Sequence, residues 1–474
     1  MEILALIEKL VNGMQAAESD FFKDLTRFND LEQKTNDLFR ETAAEWLAGI
    51  LTDTDEQIQK KACSDRYTVQ RHDTRTLITI TGDAVFEHTL FYDKQEKRYR
   101  YLLDELMELK SHERFSRLAE AELIRVASKT SYAEAGKRFS VSKEAVKDKV
   151  HSFNIEIPIE KSAEKKKCEY LYIEADEDHI SSQDDPEGKG YLGKLVYLYE
   201  SKEFIDKETK RRVLKGSYYR GGLYRKRANQ RLWKEMQEYI CEHYDTDYLK
   251  KVYIIGDGAN WIESGTEYIA KSVFVIDKFH LAEYIHKASR QMLDEADYAK
   301  ECIYKSLMKR DYNGFAKIIS KMKKSADNPE AVDKCSKYVS RHWPAVMRCL
   351  HDENVYGSSA EGHVSNMYSS RMSSRPMAWS ADGVDGMCRL RCYISNYGES
   401  KIIDLVEYKR KIEKKELRAT GTDGKVIRNQ IAEASAAYVM TEYNQARSYI
   451  DRLQATIPGL TAAKAFSIRN QLYL

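Results

Sequence analysis

Three apolar runs in this chain end in an aspartate. Leu171-Tyr172-Ile173-Glu174-Ala175-Asp176 is followed at once by Asp178, Val252-Tyr253-Ile254-Ile255-Gly256-Asp257-Gly258 sets its acid between glycines, and Val273-Phe274-Val275-Ile276-Asp277 repeats the design. Flanking glycines let backbone and ligand come close to the Asp257 carboxylate. Short apolar runs of this composition read as buried strands, and in open α/β sheets ligands sit at the carboxyl ends of strands. Acids gathered there suit a hard cation, because Mg²⁺ takes a few carboxylates and completes its shell with water and substrate phosphate oxygens. For Asp277 a plainer role competes: it precedes a helix starting near His280 and can cap it.

Such acids need a sheet to hold them. The strand candidates are Tyr170–Asp176, Leu192–Tyr199, Val213–Tyr219, Val252–Ile255 and Val273–Ile276, with a helix over Ala228–His243 anchored by Leu232, Trp233, Met236 and Ile240. Three strands in succession, then two more separated by helices, predict an α/β layout with the sheet covered on both faces. From Leu281 to about Leu350, and again beyond Glu361, the apolar spacing is helical, apart from loops near Ser373–Ser380 and Ala419–Gly424. Ahead of the sheet, residues 1 to about 60 predict two or three helices. Ile78 and Ile80 alternating with Thr79 and Thr81, a Gly82-Asp83 turn and Val85–His88 predict a β-hairpin; a further strand through Tyr92 and a turn at Lys94–Lys97 lead to Tyr99 and Tyr101.

Residues 131 to 153 have the spacing of a helix-turn-helix. Tyr132, Ala135 and Phe139 line one helix, Ser140-Val141-Ser142 turns, and Ser142 caps a second helix bearing Ala145, Val146 and Val150. Lys143, Lys147 and Lys149 place positive charge where phosphates lie if that helix enters a major groove. Basic residues including Lys202, Arg220, Arg225, Lys226 and Arg227 interleave with Tyr218, Tyr219 and Tyr224, which suits a nucleic-acid groove; a solvated hairpin edge is the alternative. Cys388 and Cys392 stand one helical turn apart and read as core rather than as metal ligands.

Composition sets the outer bounds. The 474 residues allow about three domains. No apolar run approaches the ~18 residues of a membrane span, and the opening MEILALIEKLVNGMQ reads as an amphipathic helix rather than a secretory signal. Eight scattered cysteines with no CxxC pair fit reduced thiols in a cytosolic protein. The net charge of +2 says little about nucleic acid, since the distribution of charge matters more than its sum.

The segments LYIEADEDHISSQ, IIGDGANWI, VFVIDKFHLAEYI and EGHVSNMYSSRMSSRPMAWS, in this order, resemble the insertion-sequence transposases of the ISLre type, long filed as an uncharacterised bacterial protein family and related to Mutator-like transposases. The resemblance extends over most of the chain, including the hairpin region, the YRYLLDELM segment and the helix-turn-helix. It implies a DDE transposase with an RNase H-like α/β catalytic core, a mixed five-stranded sheet with helices on both faces. The expected segments are an N-terminal helical region (1–65), a β-hairpin region (66–105), a helix-turn-helix DNA-binding region (106–160), the core in two parts (165–285 and 353–398), an all-helical insertion between them (286–352) and a C-terminal helical region (399–474).

The same resemblance assigns roles. Asp176 matches the first acid, with Asp178 in reserve, Asp257 the second, and Glu361 the final glutamate on a late helix; together they would hold two Mg²⁺ ions, with Mn²⁺ as a substitute. On a regular helix Glu361 shares a face with Ser365, Tyr368 and Met372, and that face is expected to point to the sheet. Asp277 and His280 match a D/C-x-x-H motif; because they follow the last core strand directly, His280 is expected to contact the scissile phosphate or a nearby base, with Asp277 orienting it. Arg371, Arg375 and Trp379 are expected to grip phosphates or flipped bases, or to pack the fold. The implied partners are transposon ends, target DNA and at least a second copy of the chain, in the bacterial cytoplasm at the nucleoid. A nuclease without strand transfer and a domesticated, non-catalytic DNA-binding protein are the alternatives.

Overall fold

The computed structural model describes residues 3–62, 66–152, 159–184, 188–206, 211–225 and 228–416. Lys226, Arg227, the Ala419–Gly424 loop and most of the expected 399–474 region lie outside the described residues. The chain forms two compact units, one made of Met1–Leu123 with the segment from Ile403 onward, the other of Ile124–Ile402.

In the first unit two helices, Ile3–Lys23 and Phe28–Ala62, precede a three-stranded antiparallel sheet of β1 (Tyr67–Ile78), β2 (Asp83–Asp93) and β3 (Arg98–Tyr101). Tyr92 therefore continues β2 and is not on a strand of its own. Thr79 closes the first turn by donating its N–H to the Gly82 carbonyl at 2.9 Å. Phe86 and Phe91 are buried with Tyr67 and Leu77 in one cluster with Ala48 and Ile58 of the long helix.

The second unit is built on a mixed five-stranded sheet. Its strands are β4 (Tyr170–Ile180), β5 (Tyr191–Tyr199), β8 (Tyr218–Gly222), β9 (Lys251–Gly256) and β10 (Ser272–Ile276), with β6 (Ser201–Asp206) and β7 (Arg211–Lys215) forming a separate hairpin. The order across the sheet is β10-β9-β4-β5-β8, with β9 parallel to both neighbours and β5 antiparallel to both of its own. The predicted third strand, Val213–Tyr219, is thus two strands. Gly216 adopts φ +62° between them, and this left-handed turn separates β7, which pairs with β6, from β8, which joins the sheet.

Side chains alternate across the sheet with period two. Leu171, Ile173 and Ala175 join Val196, Leu198, Val252, Ile254 and Ile276 on one face, packed with Leu232, Trp233, Met236 and Ile240 of the helix Ala228–His243. Each such large side chain, once fully buried, contributes ~1.5–3 kcal/mol. The other face is polar and aromatic: Tyr172 stacks on Tyr199 at 5.3 Å and on Tyr253 at 5.5 Å, and Tyr197 on Tyr219 at 5.4 Å. Residues Ala360–Met372 and the helix Ala381–Tyr397 cover that face.

After β10 the chain is helical as predicted, with Lys278–Ser289, Ala296–Met308, Tyr312–Ser325, Pro329–Arg341 and Trp343–His351. Caps fix where three of these begin: Asp277 accepts from Phe279 N–H, Asp311 from Gly314 N–H and Asn328 from Glu330 N–H. Among the described residues no helix is long and apolar enough to cross a membrane.

Candidate functional site

The register of the parallel strands brings Asp176 level with the acids that follow β9 and β10, although β4 runs on to Ile180 and does not end at Asp176 as predicted. β4 and β9 pair as far as Glu174 opposite Ile255, and Asp176 and Asp257 each stand two residues further on, so they share a level and a face. β9 and β10 pair as far as Gly256 opposite Ile276, which puts Asp277 one step on at the same end of the sheet. Its N–H donates to the Gly256 carbonyl at 2.8 Å.

Asp257 is held by its loop and by the inserted helices. Its carboxylate accepts from Ala259 N–H at 2.8 Å, and its backbone carbonyl accepts from the Tyr338 hydroxyl at 2.8 Å. Gly258 has φ +98°, and a Cβ there would lie 2.9 Å from His342 Nε2, so the position requires glycine on two counts. Asp176 accepts from Glu177 N–H at 2.8 Å. Burial, against that bond and reinforced by the Asp257 charge, pushes its carboxyl up to about 6. Among the described residues no Lys or Arg forms an ion pair with either acid.

Asp277 and His280 complete the constellation. One Asp277 oxygen caps the next helix through Phe279 N–H at 3.2 Å, while the other lies 2.8 Å from His280 Nδ1. One carboxylate therefore does both jobs that the sequence left open. The bond to Asp277, against burial and with the charges of Asp277, Asp257 and Asp176, holds the His280 ring above its ordinary pKa. Asp178 lies on the same strand face as Asp176 and accepts from Ser373 Oγ at 2.8 Å; burial raises its pKa.

Glu361 departs from expectation. It lies in the short helix Ala360–Val364 and is exposed, as is Ser365, while Tyr368 and Met372 are fully buried. The reason is a π-helical stretch at Ser365–Ser369, which adds a residue to the turn and breaks the shared face that regular spacing predicts. Among the described residues no three His, Cys, Asp or Glu side chains come close enough to hold a metal ion. Asp176 and Asp257 are brought together; Glu361 is not brought to them.

A cluster that sequence reasoning missed lies beside the acids. Glu174, two residues before Asp176 on the same face, is fully buried and accepts from Tyr199 OH at 2.6 Å, Lys202 Nζ at 2.7 Å, Ser359 N–H at 2.7 Å and Ser358 Oγ at 3.1 Å, and also from Tyr197 OH. Burial alone would raise its pKa; Lys202 and the two phenols outweigh it and hold the carboxylate below its ordinary value. The signal was present as a glutamate inside an apolar run facing the alternate tyrosines of Tyr197-Leu198-Tyr199.

Residues 22–409 match the model of an uncharacterised protein family, UPF0236. This chain belongs to the UPF0236 family. Similar members come from Caldanaerobacter subterraneus subsp. tengcongensis. One is 31% identical over 393 residues, 81% of each chain, and its name carries eleven locus designations from that organism. A second is 31% identical over 409 residues, covering 83% of this chain and 86% of its own. A third, with four locus designations, is 32% identical over 366 residues, 76% of each chain.

The basic residues of this UPF0236 chain divide into exposed and internal ones. The helices Tyr132–Lys137 and Lys143–His151 form as expected, with Ser131 and Ser142 accepting from Glu134 and Ala145 N–H. Gly136 permits their close approach, since a Cβ would stand 2.5 Å from the Val141 carbonyl. Lys143 and Lys147 are exposed and Lys149 is half-buried. Arg225 and Arg375 are exposed too, Arg225 lying 4.9 Å over the Tyr191 ring. Arg220 is turned inward to Glu235 at 2.7 Å. Arg371 is 5% exposed and donates to the Ala127 carbonyl at 3.0 Å. These last two arginines both make internal contacts, which for Arg371 is the packing role that the sequence also allowed.

Proposed function

We propose that this UPF0236 chain is a DDE-type DNA transposase of a bacterial insertion sequence, which binds the element's ends, cuts DNA and joins the cut end to a target. The observation that carries the proposal is the level pairing of Asp176 and Asp257 on adjacent parallel strands, with no Lys or Arg among the described residues paired to either. Three antiparallel strands flanked by two parallel ones, in the order β8-β5-β4-β9-β10, support an RNase H-like core. The eleven locus designations of one relative support a coding sequence that copies itself about a genome.

The donor set fits a divalent cation. Two carboxylates that no Lys or Arg among the described residues pairs with, one of them pushed up to about 6, are what Mg²⁺ or Mn²⁺ would neutralise, with substrate oxygens and water as the remaining ligands. Asp176 and Asp257 would hold it; Glu361, the third carboxylate that the resemblance implies, is exposed and stands apart from them in this structure. A cation held there would supply an acidified water for the attack and positive charge for the leaving oxygen. The protein's own contribution is positioning. β4 and β9 fix the two acids, Asp277 orients His280 as a cationic donor towards a phosphate, and Lys143 and Lys147 engage the duplex backbone. Paired ends would require at least two copies of the chain, acting at the nucleoid.

Incubation of the purified chain with pre-cut DNA from the borders of its own gene, in Mg²⁺ with a target plasmid, tests this. Covalent joining is expected. Cutting without joining would make the chain a nuclease, and binding alone a DNA-binding protein that no longer catalyses.

A further inference from the structure

We infer that the cavity between the helix-turn-helix and Trp379 receives an unstacked base of the bound DNA. This rests on the transposase reading and extends it to how the DNA is registered. The cavity measures about 300 Å³, at the lower end of the range for small-ligand sites. Tyr132 and Trp379, in edge-to-face contact with centroids 5.8 Å apart at 80°, form one wall, and Glu144, His151, Gln183 and Arg371 are among the other lining residues. Lys143 and Lys147 of the second helix stand among its lining residues.

Two features select a neutral aromatic occupant over a free anion. The Arg371 guanidinium is spent internally, on the Ala127 carbonyl and on the faces of Trp379 at 4.8 Å and Tyr132 at 5.4 Å, and the lining is mostly apolar. Among the described residues the buried Tyr132 hydroxyl has no hydrogen-bond partner. A phenylalanine would pack as well without that cost, so the hydroxyl is explained by a polar edge that arrives with a ligand. Stacking on aromatic side chains is available to every base, and the Tyr132 hydroxyl can read a base edge. The exposed lysines supply the complementary charge for the flanking phosphates.

The cavity wall is also fastened to the acids. Trp379 N–H donates to the Ser181 carbonyl and Gln183 N–H to the Trp379 carbonyl, both at 2.9 Å, while Ser373 Oγ reaches Asp178 at 2.8 Å. Ser181 directly follows β4, the strand bearing Asp176, so a base seated here fixes the DNA register relative to Asp176 and Asp257.

The test uses the full chain and duplexes from the borders of its gene, with 2-aminopurine placed at each position in turn. Binding is followed separately by the anisotropy of a terminal dye. One position should change its fluorescence at least about twofold on binding, and Trp379→Leu should abolish that change while anisotropy still reports a complex. Tyr132→Phe, which removes only the unpaired hydroxyl, should melt no lower than the wild type and should lose at least about fivefold in preference for the natural base at that position. Binding with no responsive position, or an unchanged response in both variants, overturns the inference and leaves the transposase reading standing. Absence of any binding overturns both.

Discussion

The backbone N–H of Ser359 lies 2.7 Å from a carboxylate oxygen of Glu174, and this bond ties the start of the helix bearing Glu361 to the strand bearing Asp176. Glu174 in turn is paired with Lys202, whose side chain is 5% exposed. Glu174→Gln leaves that ammonium buried and unpaired, a cost of about 3–5 kcal/mol. The variant should melt on the order of 10 °C lower, and Lys202→Met in the same chain should recover most of the loss. An unchanged melting temperature for Glu174→Gln would show that the bond network carries no such weight.

Asp176 gives a pH dependence of defined sign. Its folded pKa is about 6 against 3.8 for the ordinary carboxyl, so the folded state holds the proton to higher pH than the unfolded chain. The stability it contributes is therefore present below about pH 4 and lost as the pH rises through 6, a difference on the order of 3 kcal/mol. Asp176→Asn should melt several degrees above the wild type at pH 8 and close to it at pH 4. Millimolar Mg²⁺ should raise the wild-type melting temperature at pH 8 and leave the variant unmoved. Parallel pH profiles, or equal Mg²⁺ responses, would remove Asp176 from the cation site.

His280 and Asp277 should separate in their effects. His280→Ala removes one interaction with the reacting phosphate and should cut at least about tenfold more slowly, ~1.4 kcal/mol, at an unchanged melting temperature. Asp277→Asn weakens the helix cap as well and should both melt lower and cut more slowly. If His280→Ala melts several degrees lower yet its folded fraction cuts normally, the histidine only packs. Because its pKa is raised, the protonated ring persists past pH 6.5, and its contribution to cutting should decline only above that value.

For DNA binding by the second helix, replacing Lys143 and Lys147 together with alanine should weaken affinity and flatten its salt dependence, by about 0.9 in slope for each phosphate no longer neutralised. Titrations at several salt concentrations measure this. Identical slopes for the wild type and the double variant would assign recognition to another surface.

The legible parts of this molecule were those that a short segment decides for itself. The apolar runs located Asp257 and Asp277 at the ends of their strands and Asp176 on β4, which runs four residues further than predicted, and Ser131 and Ser142 announced their helices through their caps. What escaped depended on partners distant in the chain or on a departure from the regular period. The π-helical turn at Ser365–Ser369 moved Glu361 off the face that 3.6-residue spacing assigned it. Gly216 split an apparent strand, and the burial of Arg371 depends on Ala127, Tyr132 and Trp379 meeting around it. The Glu174 cluster required β4, β5 and Ser358–Ser359 to converge, which no local pattern announces.

The most direct measurement is Mg²⁺-dependent cleavage of the gene's border DNA by Asp257→Asn beside the wild type, with affinity and melting temperature recorded on the same preparations. The wild type should cut, chelation should stop it, and the variant should bind and fold as before without cutting. Cutting by Asp257→Asn at the wild-type rate would contradict a cation site built on that carboxylate, and with it the proposed chemistry.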